Sequence, residues 1–136
     1  MTYTPITHKF VAVLNKKIPT GNLMNALGHM TAGFAATYPN QADLRFDNYV
    51  DADGNDHPNI SDNPFIVLQA DNSSKIRAFR QAFVDFTSTM TEGTYAEQQE
   101  RTKLTPESEL EYYGIVTFDE IAHMSELTRK FSLWRS

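Results

Sequence analysis

The eight residues HKFVAVLN, His8 to Asn15, restrict the fold more than any other stretch of the chain. Apolar and β-branched side chains run through it almost without a break. A strand of this kind has no polar face to offer water and must be covered on both sides. Two further runs share the character: PFIVLQA, Pro64 to Ala70, and YYGIVTF, Tyr112 to Phe118. Three such strands in 136 residues require a layered core, which a chain of this length can bury as a single domain over residues 1–136.

Helical patterns fall between the strands. Leu23, Leu27, Met30, Phe34 and Tyr38 recur at intervals of three and four, which predicts one buried stripe on a first helix. Thr20 or Asn22 is the expected cap, and Pro39 the stop. After it, LRFDNYV has strand character and Asp53-Gly54 is a hairpin signal. Asp71-Asn72-Ser73-Ser74 supplies caps for a second helix, whose stripe reads Ile76, Phe79, Phe83, Phe86 and Met90 up to Gly93. Residues 94–111 are polar and read as an excursion with at most one helical turn near Pro106. Asp119 is the expected cap of a short helix with Ile121, Met124 and Leu127 inward, and KFSLWR alternates as a final strand. This order predicts an α/β fold, a three-layer α/β/α sandwich around a mixed, mainly parallel sheet of four to five strands.

Composition narrows the function classes. With no cysteine there is no disulfide framework, thiol nucleophile or thiolate metal site. MTYTPITHKF lacks the basic-then-apolar pattern of a secretory signal, and no apolar run reaches the roughly 20 residues of a membrane span, so the expected location is cytoplasmic. The net charge of −5 argues against nucleic acid as a partner, because the basic residues are few and scattered. GxGxxG, GxxxxGK[ST] and GxSxG are all absent. In DADGNDH the glycine stands at the wrong position for a calcium loop and no glutamate closes it, so no metal site is expected and no cofactor is called for.

The segment KKIPTGNLMNALGHM is the best site candidate. It joins the carboxyl end of a buried strand to a helix start, the edge where ligands of open α/β sheets gather. Gly21 permits close approach, Lys16 and Lys17 supply charge, and Thr20, Asn22 and Asn25 supply hydrogen bonds for a small, anionic ligand. His29 lies about 120° round the helix from the apolar stripe, on a polar flank suited to proton transfer. The competing reading is a capped connection with nothing bound and a boundary histidine hydrogen-bonded to a backbone carbonyl or to water. Asp85 and Thr89 have no role from periodicity alone.

The strand KFVAVLNKKI, the helix GNLMNALGHMTAGFA, the segment FVDFTSTM and the strand YYGIVTF together resemble a bacterial family, domain-of-unknown-function family two thousand, which is similar in fold to type II peptidyl-tRNA hydrolases. That resemblance implies a hydrolase-like site in which His29 matches a helix histidine, and Asp85 and Thr89 match a spaced Asp and Thr. The helix opens Gly21-Asn22 where those hydrolases carry Gly-Lys, and Phe86-Thr87 replaces Ala-Gly. The loss of that lysine removes a cation suited to a phosphate or oxyanion. The expected function is accordingly an uncharacterised domain of unknown activity binding a small anionic ligand at the strand-1/helix-1 edge. A peptidyl-tRNA or related ester hydrolase is one alternative. The other is a non-enzymatic homodimer formed through an apolar face or the Lys130–Arg135 strand.

Overall fold

A computed structural model describes residues 4–79 and 83–135. Strand β1 (His8–Asn15) is the centre of the molecule, and six of its eight residues are buried. Alternation sends Phe10, Ala12 and Leu14 into one core and Val11 and Val13 into another. Each large apolar side chain so enclosed contributes about 1.5–3 kcal/mol, which is why the unbroken run folds nowhere else.

Helix α1 (Thr20–Thr37) covers the first face with Leu23, Ala26 and Met30. It ends where expected: Tyr38 is extended, at φ −66° and ψ 122°, because a residue preceding proline avoids the helical region. Its start differs from expectation. Pro19 is the cap residue and no side chain caps the helix. Thr20 already lies inside the first turn, so neither its hydroxyl nor Asn22 plays the cap.

Strands β2 (Phe46–Val50) and β3 (Asp56–Ser61) form the expected hairpin, but as a sheet of their own. Arg45 grips both carboxylate oxygens of Asp62 at the hairpin base, where the Asp62 amide also donates to the Arg45 carbonyl at 3.0 Å. At the tip, the Asp51 carboxylate accepts from the Asp53 and Asn55 amides at 2.9 and 3.0 Å and pairs with His57 Nε2 at 2.9 Å. These bonds, the one to His57 foremost, hold the Asp51 carboxyl below its ordinary range. A depressed folded value stabilises the tip above the unfolded value and loses that effect as pH falls through the folded one. Amide chemical shifts of Gly54 and Asn55 should therefore move on acidification through that range. Asp51→Asn should remove the transition; if it persists, Asp51 does not organise the tip.

Strand β4 (Phe65–Ala70) returns parallel to β1, and α2 (Ser73–Arg77) packs Ile76 on the second face. Asn72 caps α2 by accepting from the Lys75 amide, as the capping residues led one to expect. The helix ends at Arg77 and does not run on to the expected stop at Gly93. Residues 80–82 of that stretch lie outside the described residues, and Val84–Thr87 is strand β5. The apparent stripe divides between the two faces of the sheet: Ile76, Phe79 and Phe83 join one core, Phe86 and Met90 the other. Pairing with strand β6 (Tyr112–Glu120) overrides the helical spacing.

The polar excursion is also ordered. Helix α3 (Tyr95–Lys103) opens with a capping box in which Thr94 and Glu97 satisfy each other's amides. Replacing Thr94 by alanine should cost about 1 kcal/mol of local stability, seen as faster amide exchange confined to α3. Unchanged exchange would show that the box does not hold the helix. Helix α4 (Ile121–Thr128) then covers the second face with Met124. Its cap is Glu120 rather than Asp119, because β6 runs on to pair Asp119 with Lys9. Asp119 instead accepts from the Glu120 amide and pairs with His123.

Strand β7 (Ser132–Leu133) completes a five-stranded sheet in the order β5-β6-β1-β4-β7. The three layers are as expected, with α1 on one face and α2 and α4 on the other. The balance within the mixed sheet is not: among the described residues only β1–β4 is parallel, and the other three pairings are antiparallel. Among the described residues no helix is long and apolar enough to cross a membrane.

Candidate functional site

The first turn of α1 separates two openings, and the expected ligand-binding residues divide between them. Lys16, Lys17 and Thr20 face one. Gly21, Asn22 and Asn25 face the other side, where a small recess of about 220 Å³ continues into a cleft of about 770 Å³ through shared Asn25, Phe86 and Thr91.

That larger cleft lies between α1, β5 and α3. Its floor is apolar, made by Met30, Val84, Phe86 and Met90. Asn25 and His29 form the α1 wall. Opposite them stand Tyr95, Gln98, Gln99, Thr102 and Lys103, which share one face of α3 at spacings of three and four. The exposed His29 ring stacks on Phe86, with centroids 5.9 Å apart and planes 26° apart. Apolar floor and polar rim are the usual composition of a small-molecule site.

The three candidate catalytic residues meet this cleft differently. His29 lies at its mouth. Asp85 borders it at the edge of the sheet, but its partner across the ladder is Ile115 of the second core. Cross-strand partners share a face, so alternation directs the Asp85 carboxylate away from Phe86 and its stacked imidazole. Thr89 is buried beneath the cleft, 4% exposed. Its hydroxyl lies 2.9 Å from that of Thr87 and 2.7 Å from that of Thr102. The Thr102 hydroxyl is also 2.8 Å from the Gln98 carbonyl. One arrangement satisfies all three: Thr102 donates to the carbonyl, Thr89 to Thr102 and Thr87 to Thr89, since each hydroxyl carries one proton. Arg101 adds bonds to the carbonyls of Thr89 and Glu92 at 2.9 and 3.1 Å. Thr89 thus moors α3, which buries no residue of its own.

One irregularity shapes the recess. Along β6 the partners of Phe86 and Thr87 are Gly114 and Tyr112, so Tyr113 is an extra, bulged residue. The bulge keeps Tyr112 in the second core and turns Tyr113 to the first, where its ring lies 5.7 Å from Phe86 and walls the recess. Glycine follows for a steric reason. A Cβ at Gly114 would come 2.7 Å from Leu14 Cδ2 and 3.0 Å from the Val13 carbonyl oxygen.

Sequence reasoning missed α3 and the bulge. The Thr94-x-x-Glu97 capping box was a readable signal for the helix. A bulge leaves no comparable mark, because YYGIVTF is apolar on both faces. Among the described residues, no group of three or more histidine or carboxylate side chains converges as metal ligands would.

Comparisons with known proteins agree with this architecture. A family model described as a protein of unknown function, DUF2000, matches residues 8–135. The solved structure of the protein of unknown function Atu0240 from Agrobacterium tumefaciens strain C58 superposes with a TM-score of 0.79. It is 15% identical in sequence, and the match covers 95% of this chain and 98% of that one. No curated protein matches the chain.

Proposed function

The chain belongs to the DUF2000 family, a family of unknown function, and from the geometry of its clefts we propose that it is a binding domain for a small amphipathic molecule held between α1, β5 and α3. One observation carries this reading: an apolar floor, half-exposed at Val84 and Met90 and backed by the buried Phe86 and Met30, lies beneath a rim of imidazole, carboxamide and ammonium groups. The apolar or planar part of the ligand lies over Val84 and Met90, beside the stacked His29–Phe86 pair. Its hydrogen-bonding or anionic group turns to His29 and Lys103, with Asn25, Gln98 and Gln99 completing the rim. A volume of about 770 Å³ falls within the range of sites for metabolite-sized molecules.

Titrating labelled protein with benzoate, cyclohexanecarboxylate and benzamide, followed by amide chemical shifts, tests the reading. Shifts are expected within 25–30, 84–91 and 95–103. His29→Ala and Lys103→Gln should each weaken benzoate about tenfold, the effect of one charge-assisted hydrogen bond. Absence of saturable shifts with all three probes, or shifts confined to other segments, would refute it.

A further inference from the structure

We propose a second, independent site: the cleft on the opposite side of the α1 start binds a phosphorylated small molecule with a planar ring, of the nucleotide class. This second cleft shares no lining residue with the one between α1, β5 and α3.

Topology supplies the first reason. β1 and β4 are adjacent and parallel, so their carboxyl ends open on the same edge of the sheet. From β1 the chain leaves to α1 on one face; from β4 it leaves to α2 on the other. Adjacent parallel strands whose connections depart to opposite faces leave a crevice between them, and ligands of open α/β sheets bind there. In this molecule the crevice is a cavity of about 490 Å³ bordered by Lys16, Lys17, Thr20, Gln69, Trp134 and Arg135.

Charge supplies the second. In a chain of net charge −5, Lys16, Lys17 and Arg135 all border this one cavity. Lys16 pairs with Asp71 at 2.9 Å. That carboxyl lies below its ordinary range, first through the hydrogen bond and charge of Lys16 and further through Lys75 and Lys17. Lys16 is the lysine paired with that aspartate, while Lys17 and Arg135 border the same cavity. The surplus suits a phosphate, with Lys17 and Arg135 exposed and directed to one opening.

The third reason is the frame. Asn15, 2% exposed, donates to the Tyr112 carbonyl at 3.0 Å and accepts from the Lys17 amide at 3.0 Å. It fixes the loop bearing both lysines to the end of β6. The C-terminal segment is fixed equally: the Trp134 amide donates to the Val67 carbonyl at 2.9 Å, and the Arg135 amide to Gln69 Oε1 at 3.2 Å. Trp134 is thereby held as a partly exposed indole wall beside the cations, a surface on which a flat ring stacks while its phosphate meets Lys17 and Arg135.

Trp134 is the sole tryptophan of the chain, so its emission reports directly on occupancy. Wild-type protein is titrated with AMP, ribose 5-phosphate and inorganic phosphate, with calorimetry as the parallel measurement. AMP should change the emission saturably and bind more tightly than ribose 5-phosphate, and that more tightly than phosphate. Lys17→Gln with Arg135→Gln should weaken AMP at least tenfold, whereas His29→Ala should leave it unchanged. In Trp134→Phe, followed by calorimetry, the preference for AMP over ribose 5-phosphate should shrink. No saturable binding by wild type overturns the site, as does wild-type affinity in the double variant. Equal affinity for AMP and ribose 5-phosphate overturns the ring.

Discussion

Gly114→Ala should lower the free energy of unfolding by about 3 kcal/mol, the upper part of the usual range for overpacking a core. The added methyl group would come 2.7 Å from Leu14 Cδ2, 3.0 Å from the Val13 carbonyl oxygen and 3.2 Å from Met30 Cε. Two of those neighbours are side-chain ends, but the carbonyl oxygen belongs to the central strand and cannot step aside without moving β1. Relief would require the β1–β6 pair to separate at Leu14↔Gly114, just where the bulge at Tyr113 begins. A guanidinium titration should show a lower midpoint with an unchanged slope. The variant should also report on the first cleft, since displacing Tyr113 disturbs Phe86. A midpoint within experimental error of the wild type would mean that the bulge is soft and that the close approach at Gly114 is not a constraint.

The second large effect lies on β1 itself, at the end away from Leu14. Phe10 is 3% exposed and packs against Phe118 at 4.5 Å, Phe65 at 5.2 Å and Phe34 at 6.0 Å between ring centroids. These partners come from β6, β4 and α1, so one ring ties three elements to β1. Phe10→Ala should cost about 4 kcal/mol, from lost burial and from a cavity that rings on three rigid elements do not close. Its neighbours lie away from both clefts, so probe binding by the folded fraction should be unaltered. A loss under about 1 kcal/mol would show that the aromatic cluster collapses into the space. Phe10→Leu, which keeps most of the volume, should recover much of the deficit.

The elements legible in the sequence are those whose side chains carry the layers. β1, β4 and β6 announce themselves as unbroken apolar runs, and the stripe of α1 has one period because it packs on one surface. Residues 73–92 were misleading for a physical reason. Phe83 and Phe86 lie three apart, which satisfies a helical period, yet with Phe83 just before β5 and Phe86 within it they serve opposite faces of the sheet. α3 could not be found from hydrophobicity, since it is attached through Thr102 and Arg101 rather than through a buried face. The candidate site was legible as a segment and not as a surface. Residues 16–29 do border both clefts, but adjacent positions Thr20 and Gly21 look into different ones. Only the direction in which α1 leaves β1 decides that, and direction is a property of the packed layers.

The clamp at Arg45 and Asp62 has a consequence for how such a chain can change. The path leaves the domain and re-enters it at two residues already hydrogen-bonded to each other. No residue of 46–61 belongs to either core. The segment is therefore an interchangeable cassette. A peptide whose ends sit at the spacing of neighbouring strands, about 5 Å, and which keeps a hydroxyl at position 61 for the Leu44 carbonyl can replace it, lengthen it or carry a foreign epitope. The domain beneath would register only a new loop.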